Sequence, residues 1–369
     1  MLSDALQKAA DMLGSGLQGM SIGAPVFGDF RYQPVAFDPA YFHHIDDCRP
    51  HRTLGFVDGG NREILHAPDF SVQLVRVCSV LFRDGERVSP RQIPQHAEFF
   101  CLARAMPVEG RISYGADIVP VGTGFREFLP DPAWLTMDSR DEELAPGRFR
   151  LDISVVGAAA RRFSEWLVIS ELMNRELEAG DIAVRDGTLQ TAVRNEAQAA
   201  SRAFSAAVQK GVVLTALAKT SQLLTSSGLS LLAAVEELSG QSELRGGSWF
   251  YHPLVRNDHP EHQAEIYACR LHAQARHVFR LEILRDQAQG MSSQQVADVM
   301  GALAANSRDL SFPGYPYGLV DADETARVRR SEKEALAAIF ASALAEKGCW
   351  NTVERHLCAT DAHDILDEI

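Results

Sequence analysis

Residues 181–191 read DIAVRDGTLQT. Ile182, Ala183 and Val184 form a short apolar run, and the chain then delivers Asp186 directly before Gly187. The pattern predicts a strand that ends in an acid. A glycine after the strand permits positive φ and a close backbone approach, which presents the carboxylate at a sheet edge or crevice instead of burying it. Residues 54–60, LGFVDGG, repeat the arrangement upstream, with Asp58 before Gly59 and Gly60. Two strand-terminal Asp-Gly units far apart in sequence are what a carboxylate site assembled by a sheet requires. Most Asp-Gly pairs are turns without function, and Asp84-Gly85 in the polar cluster RDGERVSP reads as one of these.

Outward from that stretch, residues 157–179 (GAAARRFSEWLVISELMNRELEA) form the clearest helix. Phe163, Trp166, Leu167, Ile169, Ser170 and Met173 set its apolar face, and Arg161, Arg162, Glu165 and Glu171 alternate in sign around it. A second helix over Glu196 to Lys210 follows the strand, and GVVLTALAKT then reads as a strand closing at Lys219. Strand, helix, strand implies a parallel pair joined by a crossover. Upstream, LGFVDGG, SVQLVRVCSVLFRDG and AEFFCLARAM read as successive strands, with a turn cluster from Arg83 to Pro90 and shorter β-like pieces over 111–150. Downstream lie a helix at LSLLAAVEEL, strands at EIYACRLH and HVFRLEIL, a helix over 292–308, a loop FPGYPYGLVDAD and a charged C-terminal helix with an acidic tail. Residues 1–20 have the spacing of an amphipathic helix, and 21–53 are an aromatic, proline-punctuated, largely irregular lead-in. With no internal repeat or linker, the chain reads as a single domain over 1–369: N-terminal helix and lead-in to residue 50, core over 51–335, C-terminal helix and tail over 336–369.

A hydrophobic content of 46% supports a sizeable core, and no apolar run approaches the ~18 residues that span a bilayer. The first twenty residues lack a signal-peptide layout, so the expectation is a soluble, cytoplasmic protein with no membrane partner. Cys48, Cys78, Cys101, Cys269, Cys349 and Cys358 form no C-x-x-C pair and read as reduced, mostly buried thiols. A net charge of −13 excludes a protein that coats nucleic acid through a basic surplus. It leaves room for an enzyme in which metal ions, a local basic groove or a partner face the phosphates.

The candidate chemistry lies in the acids. Asp58 and Asp186, with one glutamate from the preceding helix, would form a cage suited to Mg²⁺ or Mn²⁺, hard cations that take oxygen ligands. Glu165 and Glu171 are six residues apart and do not share a helix face, so one of them at most reaches the site, and by spacing alone each is a solvated helix residue. Lys219 can face a phosphate as a point charge or reach solvent. Asp321 and Asp323 either join the acids or favour a helix N-terminus. His43 and His44 beside Asp46 and Asp47 read as a polar loop, and the spacing of His252, His259 and His262 is a poor metal signal. VDGGNRE also admits a phosphate-cradling loop of the sugar-kinase and actin-like type, but it begins about 50 residues in and RDGTL lacks the residue between Asp and Gly that the second motif carries.

FVDGG, the glutamate helix followed by RDGTL, the strand ending in AKTS, the HVFRLEI strand and the GYPYGLVDAD loop occur in the order of NurA-family nucleases, which the chain resembles from about residue 50 to 335. The resemblance implies an α/β RNase H-like mixed sheet flanked by helices, with helical and loop insertions. It also implies a Mn²⁺-dependent nuclease, with Mg²⁺ as the other candidate ion, acting on DNA ends and single strands. The partners it implies are a second copy of the chain, as a homodimer, and a hexameric HerA-like DNA-translocating ATPase in end resection. Asp58 matches the family's first metal-binding acid, Asp186 the second, and Glu165 the intervening glutamate, with Glu171 in reserve. Lys219 matches the strand-end lysine, and Asp323, with Asp321 as an alternative ligand, stands where archaeal members commonly carry histidine after alanine. An aspartate there can bind a metal but cannot serve as a neutral imidazole base. A non-catalytic member serving as a scaffold for an ATPase partner is the other class, and it predicts that Asp58→Ala or Asp186→Ala leaves function intact.

Overall fold

The computed structural model describes residues 2–46, 52–123, 126–141 and 150–357. Asp47, Cys48, Cys358 and the acidic tail lie outside them.

The frame is a mixed 12-stranded sheet. Its strands include β1 (Thr53–Ala67), β2 (Phe70–Arg83), β3 (His96–Val108), β4 (Arg111–Pro120), β5 (Ile182–Asp186), β6 (Val213–Ala218), β7 (Trp249–Tyr251), β8 (Ala264–Arg270) and β9 (Phe279–Leu284). Across the sheet they run β7, β8, β9, β6, β5, β1, β2, β3, β4. Only the central trio is parallel: β5 pairs with β6 on one side and β1 on the other. The crossover between β5 and β6 is a helix at Glu196–Lys210, where the sequence put it.

Alternation along β1 and β5 sorts the side chains onto two faces. Val57 and Ala183 look toward one core, which the long helix Val155–Arg175 fills with Phe163, Trp166 and Ile169, while the crossover helix contributes Ala199, Ala203 and Ala207. Phe56 and Val184 look toward the other, filled by Val299, Met300 and Leu303 of a helix at Ser293–Asn306 and by Leu319 and Ala322 of a helix at Tyr317–Ala326. The Ser293–Asn306 helix starts at a capping box, with Ser292 Oγ accepting from the Gln295 N–H and Gln295 Oε1 accepting from the Ser292 N–H. Sheet and flanking helices are the mixed α/β architecture expected.

Three departures bear on the site. First, the strand containing Asp58 does not end there, because β1 runs on through Gly59 and Gly60 to Ala67 paired with β2. The glycines therefore form no phosphate-cradling loop. Second, YGLVDAD is helical, lying in Tyr317–Ala326. Third, the lead-in contains short strands, with Phe42–His44 on the sheet edge beyond β7 and Pro25–Val26 and Tyr32–Pro34 in small two-stranded sheets. The N-terminal helix Leu2–Leu17 forms as expected and buries none of its residues. Cys78, Cys101 and Cys269 are buried free thiols, and Cys349 is an exposed one. No described helix is long and apolar enough to cross a membrane.

Candidate active site

The register of the parallel strands gathers the acids. Val57 pairs with Arg185, so Asp58 and Asp186, one residue further along each, lie level where the parallel pairing of β1 and β5 ends. There β5 stops: Gly187 takes φ +100°, and its N–H donates to the Leu217 carbonyl of β6. Such φ favours glycine over any residue with a Cβ. Lys219 follows β6 directly.

The Lys219 ammonium is the hub. Its Nζ is 2.8 Å from Asp186 Oδ2, 3.0 Å from Asp323 Oδ1 and 3.7 Å from Asp58 Oδ2. Arg327 holds the other Asp323 oxygen at 2.7 Å, and the Tyr315 hydroxyl donates to Asp186 Oδ1 at 3.4 Å. Asp58 is buried and accepts the Gly59 N–H. Burial, reinforced by the charges of Asp186 and Glu165, pushes its carboxyl up to about 8. Burial works against the charge on Lys219, but Asp186 and Asp58 outweigh it and hold the ammonium above its ordinary range. Asp323 is also opposed by burial, yet its bonds to Lys219 and Arg327 pull it below the usual carboxylate range.

Two glycines let helices close on this point from opposite faces. A Cβ on Gly59 would stand 2.7 Å from Glu165 Oε1, and one on Gly60 would stand 2.4 Å from the Ala326 carbonyl oxygen. The missing side chains let Glu165 lie against β1 on one face. On the other face they let the Tyr317–Ala326 helix settle low enough for Asp323 to meet Lys219. The Asp-Gly-Gly sequence thus supplies an acid and two close approaches within one strand.

Glu165 is buried, not solvated. Arg185 Nη2 reaches its Oε2 at 2.7 Å, and Arg161 one turn earlier pairs with its Oε1. Arg185 is itself buried, with its guanidinium 4.3 Å over the Trp166 ring and Nη1 donating to the Thr188 carbonyl at 2.7 Å. Glu165 therefore stands beside Asp58 with both oxygens held by arginines. Glu171 lies elsewhere on the helix and pairs with Arg175 at 2.7 Å, while Asp321 pairs with Arg87 at 2.6 Å. Neither shares Lys219 with the other acids. Arg185 is not among the candidate residues that the acid pattern picks out, although an arginine inside the apolar run IAVRD is a signal, since alternation sends it to the same face as Ala183.

As a cation site the cluster is all oxygen: Asp58, Asp186 and Asp323 face one ammonium, and Arg327 adds a second positive charge. This donor set fits a hard divalent ion. Among the described residues, the trio whose ligand atoms all lie within 4.8 Å of one another is a different one, Glu63, His66 and Asp152. Glu63 Oε1 there already accepts from the Ser71 hydroxyl at 2.7 Å and meets His66 Nδ1 at 2.8 Å. His259 and His262 enter a polar network: His262 Nε2 is 3.0 Å from Glu282, and its Nδ1 meets the Tyr32 hydroxyl at 2.9 Å.

The fold is RNase H-like, an α/β mixed sheet flanked by helices, with acids where the pairing of its central parallel strands ends. A family model for the NurA domain matches residues 52–328, and the chain belongs to that family. No curated protein matches it. Among solved structures it is similar to the NurA nuclease from Sulfolobus solfataricus, at 12% identity over 94% of this chain and 95% of that one, with a TM-score of 0.50. It is also similar to endonuclease V from Ciona intestinalis in complex with a 24mer DNA, at 11% identity over 77% of this chain and 87% of that one, with a TM-score of 0.35.

Proposed function

We propose that this chain is a divalent-metal-dependent DNA nuclease, a phosphodiester hydrolase acting at DNA ends or on single strands. The observation that carries the reading is the convergence of Asp58, Asp186 and Asp323 on the Lys219 ammonium in a NurA-domain chain. Asp58 and Asp186 would hold the ion, with Asp323 as a further ligand. Mn²⁺ is the preferred ion and Mg²⁺ the substitute. When bound, such an ion supplies a water nucleophile at neutral pH and stabilises the leaving oxygen.

The chain's own residues do the rest. Burial beside Asp186 and Glu165 disfavours the charged form of Asp58, which would serve as a ligand only as the carboxylate. Glu165 is a positioning residue, fixed by Arg185 and Arg161 against the backbone of Gly59, and it keeps a negative field on Asp58. Lys219, 40% exposed where it pairs with Asp186, would face a phosphate oxygen of the strand as a point charge. Arg327, more than half exposed beside Asp323, is placed to contact the same backbone.

The acidic total charge suits a subunit to which DNA is fed by a HerA-like hexameric ATPase, and a homodimer in the cytoplasm is the working assembly. The test is cleavage of labelled single- and double-stranded DNA in Mn²⁺, Mg²⁺ or EDTA, comparing wild type with Asp186→Ala. Metal-dependent cutting abolished by the substitution is expected. Equal residual cutting by both proteins, or none by the wild type in Mn²⁺, overturns the reading in favour of a non-catalytic scaffold.

A further inference from the structure

Beside the acids the described residues line an open cavity of about 480 Å³ that the hydrolytic reading leaves unused. Its position follows from the chain. Gln190 lies four residues beyond Asp186 and Gln222 three beyond Lys219, so neither Cα can be farther than about 14 Å from its acid or its lysine. Arg280 on the cavity wall pairs across the sheet with Ala218, the residue before Lys219. The cavity therefore opens off the same end of the central strands that carries the acids.

Its walls have a definite chemistry. Phe27 and Tyr32 stack with ring centroids 5.4 Å apart and planes 17° from parallel, and the Tyr32 hydroxyl is fixed by His262. Buried Ile266 adds apolar surface. The side-chain amides of half-buried Gln190 and exposed Gln222 have no hydrogen-bond partner among the described residues, and the backbone of Gln190 is anchored by a bond from Arg162 to its carbonyl and a bridge to His262. The charges on the wall are already matched, since Arg280 is bound to Glu282 and Asp29 to Arg31. A phosphate would find no free cation on this wall. A flat, neutral, apolar-faced group with hydrogen-bonding edges would find an aromatic surface and two amides.

We propose that the cavity is a nucleobase subsite, which takes one unpaired base of the DNA strand whose phosphate lies at Lys219. The base stacks on Phe27 and is bonded along its edge by Gln190 and Gln222. Stacking of this kind tolerates every base, because each has a π-face, whereas the amides add a preference for particular edges. The subsite rests on the nuclease reading. It adds to that reading a requirement for an unpaired base at one fixed offset from the cut, which a duplex does not supply without local opening.

The experiment is a ladder of end-labelled single-stranded oligonucleotides in Mn²⁺, each carrying one abasic position, cut by wild type, Phe27→Leu and Gln222→Ala. For wild type, cleavage at any given phosphate should fall about 5- to 150-fold when the abasic position sits at one offset from it, the same offset along the ladder. The two variants should cut intact DNA more slowly and lose the abasic effect, with unfolding temperatures like that of wild type. Cleavage by wild type that ignores the abasic position at every offset overturns the subsite and leaves the nuclease standing. Folded variants that cut and discriminate like wild type overturn it as well. A wild type that cuts nothing refutes the nuclease itself, and the subsite with it.

Discussion

Replacing Arg185 by Met tests whether Glu165 is held in place by its arginines. Arg185 loses an ion pair of 2.7 Å to Glu165, a bond of 2.7 Å to the Thr188 carbonyl and the face of Trp166. Breaking a buried pair from one side costs about 3–5 kcal/mol because the remaining charge stays buried. The low end applies here, since Arg161 still holds Glu165 Oε1. Loss of the ring contact adds about 1 kcal/mol. The sum, about 4 kcal/mol, divided by an unfolding entropy of about 0.8 kcal/mol/K for 369 residues, lowers the melting temperature by roughly 5 °C. Urea unfolding in EDTA measures the loss without interference from metal. The double variant Arg185→Met, Glu165→Gln should recover part of it, with a coupling energy of about 2 kcal/mol. Losses that simply add, within about 0.5 kcal/mol, would show that the pair is not the anchor of the acid and would refute the argument.

Gly60→Ala sets a Cβ 2.4 Å from the Ala326 carbonyl oxygen, so the Tyr317–Ala326 helix must move; we expect a stability loss of about 1–3 kcal/mol and at least a tenfold fall in Mn²⁺-dependent cleavage, measured on the same sample. Lys219→Met leaves Asp186 and Asp323 without their ammonium. Because Lys219 is 40% exposed, the cost in EDTA is discounted to about 1 kcal/mol or less, and the rise in melting temperature on adding Mn²⁺ should exceed that of wild type; equal rises would show that ion and ammonium do not compete for the same carboxylates. Glu282 is fully buried, and although burial alone would raise it, Arg280, His262 and the Leu189 N–H hold it down at about 2. A depressed acid stabilises the fold above its unfolded value of 4.5, and this contribution, about 3 kcal/mol, is lost as pH falls from there toward 2. Glu282→Gln should remove that portion of the acid limb in unfolding curves taken between pH 2 and 6, and an unchanged limb would contradict the assignment.

The legible part of this chain was whatever its local pattern determines. Glu196–Lys210 is bounded as read, because the Lys210-Gly211 end takes a left-handed glycine at φ +67°, a stop that the sequence spells out. Asp186 at the end of IAVRD followed in the same way from one apolar run and one glycine. What local pattern does not encode is which element will lie over a given residue. Asp58-Gly59-Gly60 has the composition of a turn, yet β2 pairs along its whole length and keeps it extended, because Val72 to Val80 supply an unbroken partner. Within a paired strand a glycine weakens the element and has to be offset by something that needs the space. Here Glu165 takes it on one face and Ala326 on the other, elements 107 and 268 positions from Asp58 along the chain. The same long-range closure reverses the reading of Glu165, whose helical spacing places it among alternating charges but whose face is turned onto the sheet by Phe163, Trp166 and Ile169. A charge driven inward in this way must bring its counter-charge along. Arg185, the arginine inside the apolar run, is that counter-charge, and it fixes the glutamate beside Asp58.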